Sequence, residues 1–223
     1  MSTRWVADGT LIAAFAAAAA ARPDSRFIVA SDVRASESRL SDIVADGRRM
    51  GARLAALGVR PGDVVGVMLP NWREWLVTCV ATQPAGAVML PIVTIYGAKE
   101  LGFILRQSRA RLVVTPDVWR GADYRARLAD CGELPDLLGQ VRAGAEFDAL
   151  VEGPEPGAPP ARRADDLALL VYTSGTTADP KGVKHSSRTI LAELAVQRES
   201  RAKAGPEVVL SPWPPVRPAA PLP

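Results

Sequence analysis

Residues 167–187 read LALLVYTSGTTADPKGVKHSS, and their pattern decides both the fold class and the chemistry to look for. Leu167 to Tyr172 is a short apolar run of the kind that forms a buried strand. It would deliver to a sheet edge a loop in which four hydroxyls, Thr173, Ser174, Thr176 and Thr177, surround Gly175. Small hydroxyl donors, with a glycine free to take positive φ, let backbone N–H groups converge on phosphate oxygens. A turn at Asp179-Pro180 precedes Lys181 and Gly182, and the lysine adds a mobile point charge.

The Walker phosphate loop fails on spacing. It needs G-x-x-x-x-G-K-[ST], with the lysine opening a helix. Here Gly175 stands six positions before Lys181, Pro180 sits directly ahead of the lysine, and Gly182 follows in place of Ser or Thr. An unrelated P-loop ATPase is therefore disfavoured.

The segment resembles the signature phosphate loop of the adenylate-forming superfamily, which includes acyl-CoA synthetases, luciferases and peptide-synthetase adenylation domains. Tyr172, Thr173, Ser174, Gly175, Thr176, Thr177, Pro180, Lys181, Gly182 and Val183 match that pattern, and Ala178 departs from its usual glycine. The resemblance implies ATP-dependent activation of a carboxylic acid, fatty or alicyclic, to an acyl-adenylate and then to an acyl-CoA. It implies ATP, Mg2+ and coenzyme A as cofactors. Thr173, Ser174, Gly175, Thr176, Thr177 and Lys181 would hold the β- and γ-phosphates.

Outward from the loop, the chain alternates strand and helix. Thr10 caps a helix that turns Leu11, Ile12 and Phe15 inward, and Phe27 to Ala30 reads as a strand. Leu40, Ile43, Val44, Gly47, Met50, Leu54 and Ala55 keep helical spacing up to a glycine cap at Gly58. Asp63 to Leu69, Ala87 to Ile92 and Leu112 to Thr115 are β-rich runs, interleaved with helices over Trp72 to Thr82 and Lys99 to Ser108. This alternation predicts an α/β fold, layered around a parallel sheet with flanking helices. By resemblance it is the N-terminal part of an adenylate-forming large domain.

The expected organisation is a first α/β lobe over 1–151 and a Pro/Gly-rich linker or loop over 152–163. Strand, phosphate loop, helix (Thr189 to Gln197) and strand (Glu207 to Leu210) then fill 164–210. Residues 211–223 form a Pro-rich irregular tail with six prolines in thirteen positions. In the synthetases a comparable stretch leads into a histidine and an apolar helix, whereas here Val216-Arg217 follows. The expectation is an N-terminal portion of a longer ligase, its frame lost near Pro215. An inactive remnant or a partner-dependent nucleotide-binding module stays open beside the ligase reading.

Composition narrows the classes. The net charge of +3, from 27 basic against 24 acidic side chains, is spread along the chain and does not suggest nucleic acid. His185 is the single histidine, so a Ser-His-Asp triad or a His-based metal site is not expected. Cys79 and Cys131 have no metal-type spacing, and a cytoplasmic setting follows. The Ala-rich run Leu11 to Ala21 is too short to span a bilayer. A lobe cut mid-sheet would leave apolar faces uncovered, which favours self-association.

Overall fold

A computed structural model describes residues 9–154, 156–173 and 180–201. In chain order these form α1 (Leu11–Ala21), β1 (Arg26–Val29), β2 (Ser36–Arg39), α2 (Leu40–Ala56), β3 (Val64–Val67), α3 (Arg73–Ala81) and β4 (Val88–Pro91). There follow α4 (Ala98–Ser108), β5 (Ala110–Thr115), β6 (Val118–Trp119), β7 (Ala122–Asp123), α5 (Tyr124–Ala129), β8 (Gly139–Arg142) and α6 (Ala145–Val151). The last three are β9 (Leu167–Thr173), β10 (Lys181–Ser186) and α7 (Ser187–Arg201).

Six strands form one sheet in the order β10-β9-β4-β3-β5-β8. The pairs β3–β4, β3–β5, β4–β9 and β5–β8 are parallel, as the alternation predicts. The exception is β10, antiparallel to β9. Its physical reason is the short connection over 174–180, since a parallel crossover needs a dozen residues or more. Residues 152–163 connect strands of this one sheet, because β9 pairs directly with β4. The strand expected at Glu207 to Leu210 and the tail over 211–223 lie outside the described residues.

Both faces of the sheet are covered, which is why VVGV, VMLP and ARLVVT read as near-continuous apolar runs. On one face Val65, Val67, Met89, Leu112, Val114 and Val141 pack with side chains of α2, α3 and α6. On the other, Val64, Val88, Leu90, Val113 and Leu170 pack with Leu101, Ile104 and Leu105 of α4 and with Tyr124 of α5.

The helix ends follow from local chemistry. The Thr10 hydroxyl accepts from the Ala13 N–H, and the Ser187 Oγ, at the start of α7, accepts from the Leu11 N–H at 3.2 Å. The start of α1 is thereby tied to the far end of β10. Helix α2 stops where Gly58 takes φ +94, with Gly58 N–H donating to Ala55 O and Val59 N–H to Leu54 O. Several loops are braced by guanidinium groups. Arg106 donates to the carbonyls of Cys131 and Glu133, and Arg111 to that of Asp136. Among the described residues no helix is long and apolar enough to cross a membrane.

Helices α2 and α3 approach over Gly47 and Gly51. A Cβ at Gly47 would lie 2.5 Å from Val80 Cβ and 3.2 Å from Val77 O. Gly47→Ala is expected to cost about 3 kcal/mol in overpacking against about 1 kcal/mol gained in helix propensity. Denaturant unfolding should therefore show a net loss of about 2 kcal/mol; a stabilised variant would contradict this packing.

Candidate functional site

The parallel strands β3, β4 and β5 end at Val67, Pro91 and Thr115, and β9 ends beside them at Thr173. Ligands of open α/β sheets bind outside this carboxyl edge. Here β9 turns back as β10, and the two strands make a hairpin whose neck is a register pair, Thr173 opposite Lys181. Both side chains are exposed. The Thr173 hydroxyl makes a long hydrogen bond, 3.4 Å, to the Lys181 carbonyl. Lys181 opens a strand, the opposite of what a Walker loop requires. Ser174, Gly175, Thr176 and Thr177, with the departure at Ala178, lie outside the described residues.

Beneath the neck, Tyr172 pairs with Gly182, Val171 with Val183, Leu170 with Lys184 and Leu169 with His185. The register then shifts between His185 and Ser186, leaving Ala168 as an extra residue on β9. Tyr172 packs against the α4-side core, and burial pushes its phenol up from its ordinary pKa. Lys184 is exposed and His185 half-buried.

A second element of the same edge escaped the sequence reading. Strand β4 pairs in parallel with β9 through Met89 and Leu169, so the connection after β4 leaves from the same carboxyl edge as the hairpin. That connection is held from below. The Tyr124 hydroxyl donates to Thr94 O at 3.1 Å, and Arg127 Nη1 donates to Thr94 O and Tyr96 O at 2.9 and 3.1 Å. The Arg127 guanidinium also lies 4.5 Å from the Tyr124 ring centroid. Burial raises the Tyr124 phenol, and the neighbouring positive charge opposes that rise. Ile95, between the two braced carbonyls, is 86% exposed. Nothing in the run of arginines singles out Arg127, because its partners are backbone atoms about thirty residues away.

The edge thus offers a hydroxyl, an ammonium group and a braced loop. Among the described residues no group of three or more His, Cys, Asp or Glu gathers to hold a metal ion. The exposed Lys181 ammonium group suits an anion.

Residues 15–216 match the family described as AMP-binding enzyme. A methyl-dioxo-octahydroindenyl-propanoyl:CoA ligase of Mycobacterium tuberculosis is 34% identical over 184 residues, covering 78% of this chain and 36% of the ligase. The phosphinothricin tripeptide synthetase PhsC of Streptomyces viridochromogenes is 36% identical over 170 residues, covering 75% of this chain and 14% of the synthetase. Among solved structures, the anthranilate CoA ligase AuaEII in complex with anthranoyl-AMP superposes with a TM-score of 0.72 at 23% identity. It covers 85% of this chain and 36% of that one, and supports the fold. The chain therefore spans about a third of the length of the CoA ligases it matches.

Proposed function

Because the chain belongs to the AMP-binding enzyme family, we propose that it serves the ATP-dependent activation of a carboxylic acid, fatty or alicyclic, for transfer to coenzyme A. In that reaction a carboxylate oxygen attacks the α-phosphorus of ATP and pyrophosphate leaves. The thiol of coenzyme A then displaces AMP from the acyl-adenylate. Two anions must meet in the first step, so positioning and neutralising phosphate charge is the protein's main task.

This chain's own contribution is to hold the triphosphate. Thr173 would turn its hydroxyl from the Lys181 carbonyl, to which its bond is long, toward a phosphate oxygen, and Lys181 would bring its ammonium group from the other side of the hairpin neck. Ser174, Gly175, Thr176 and Thr177 would supply donors between them. Magnesium would be carried by the triphosphate oxygens with water ligands, without a cage of protein carboxylates. The observation that carries this reading is the Thr173–Lys181 pair at the carboxyl edge of a parallel sheet. The similarity to CoA ligases supports the choice of acyl acceptor.

Titration of the full chain with Mg·ATP tests it. Lys181→Ala should weaken binding about tenfold, the scale of one lost hydrogen bond to a charged group. Unchanged affinity would overturn the assignment. A second reading is a nucleotide-binding module without ligase activity, for which the Thr173–Lys181 pair alone would suffice. Carboxylate-dependent exchange of pyrophosphate into ATP separates the two: exchange supports the ligase, and binding without exchange supports the module.

A further inference from the structure

We propose that Tyr172 and Gly182 form a register lock, the tyrosine ring seated across the glycine, that positions Thr173 and Lys181 for the triphosphate; this rests on the phosphate-holding reading above. The need for such a lock comes from the sequence of β10. KGVKHS has one apolar side chain, Val183, which is itself 42% exposed. A strand so polar on both faces has no hydrophobic pattern to fix its register. A slip of one residue would move Lys181 by about 3.3 Å and turn it to the opposite face of the sheet.

The tyrosine supplies what the strand lacks. Tyr172 is anchored in the α4-side core, and its ring reaches across the sheet to the position facing it on β10. A Cβ built at Gly182 would lie 3.0 Å from Leu170 Cδ1, 3.4 Å from Tyr172 Cζ and 3.6 Å from Tyr172 Cε2. A Cβ there would crowd Leu170 Cδ1 and rest in van der Waals contact with the ring, so any longer side chain would have to displace one or the other. Slips that keep the same face would bring either Pro180 or Lys184 opposite Tyr172. Proline has no N–H for the ladder, and the lysine side chain would meet the ring. Gly182 is the only glycine on β10, so the ring selects one register.

The lock adjoins the phosphate-facing pair on both strands. Tyr172 directly precedes Thr173, and Gly182 directly follows Lys181. The far end of β10 is held independently, through the Ser187 Oγ that accepts from the Leu11 N–H. A displaced ring would therefore be felt chiefly at the neck. Tyr172 and Gly182 are positioning residues: they act through Thr173 and Lys181 and need not touch the nucleotide.

The experiment is an NMR titration of the full chain with Mg·ATP and, separately, with AMP, which lacks the β- and γ-phosphates. Gly182→Val and Tyr172→Ala should each lower the ATP-to-AMP affinity ratio about tenfold, the scale of a lost charged hydrogen bond. Tyr172→Phe keeps the ring and should keep the ratio. Val183→Ala, on the opposite face of the same strand, should also keep it, which separates the lock from general loosening of β10. In the wild type the ring should shift a Gly182 Hα resonance upfield, and Tyr172→Ala should abolish that shift.

If the wild type discriminates and Gly182→Val discriminates equally, the lock is wrong and the phosphate reading stands. An equal loss in Val183→Ala would also overturn the lock. If the wild type shows no preference for ATP over AMP, the phosphate reading falls and the lock falls with it.

Discussion

Phe147→Ala is expected to cost about 3–5 kcal/mol, the usual range for truncating a buried phenylalanine. The ring is fully buried on α6, among Val65, Leu112, Val141 and the side chains of α2. Few neighbours there can move to fill the space, because β8 and α6 are joined by a tight turn at Gly144 and β8 is paired along its length with β5. Domains are stable by only about 5–15 kcal/mol, so this one change would consume a large share of the total. The melting temperature should fall by about 10 °C for a chain of this size. A fall of less than about 2 °C would show that the α6 side of the core is far softer than its packing indicates.

Removing Arg34 tests a different force. Glu74, at the first turn of α3, is 4% exposed, and its carboxylate is bridged by the Arg34 guanidinium from the connection between β1 and β2. The same guanidinium lies 5.3 Å from the Trp72 ring centroid, and Trp72 meets Trp119 edge-on at 6.3 Å. Arg34→Ala strands a buried carboxylate and should cost about 3 kcal/mol. Adding Glu74→Gln removes the charge and should restore most of that loss, giving a clear coupling in a double-mutant cycle. Strict additivity of the two changes in denaturant unfolding would show that the pair is not coupled. The single variant should also free the β1–β2 hairpin, visible as faster amide exchange at the residues paired across it.

The core of the sheet was legible because its strands are buried on both faces. VVGV, VMLP and ARLVVT announce themselves by unbroken apolar character, and α2 and α4 by the spacing of Ile43, Met50 and Leu54 or Leu101, Ile104 and Leu105. The strands that escaped notice are the polar ones. SESR of β2, GQVR of β8 and KGVKHS of β10 take their extended form from a paired partner, which no local pattern records. Tyr124 and Phe147 likewise anchor helices of six and seven residues, too short for periodicity to emerge.

The candidate site divides along the same line. Thr173 and Lys181 stood out because hydroxyl, glycine and lysine cluster within a few positions. What sets them opposite each other is cross-strand register, and the Tyr172 ring over Gly182 exists only once that register is known. The braces from Tyr124 and Arg127 to the loop after β4 were hidden for a related reason. Their acceptors are main-chain carbonyls, which every residue possesses.

The division of labour among cations has a practical outcome. Guanidinium groups do the internal stapling, while the chain has just four lysines, Lys99, Lys181, Lys184 and Lys203. Of these, Lys99, Lys181 and Lys184 are exposed. Amine-selective acylating reagents would thus spare the arginine scaffold and report almost directly on the hairpin. Slower labelling of Lys181 under nucleotide, with Lys99 as internal standard, would footprint the site without altering a single codon.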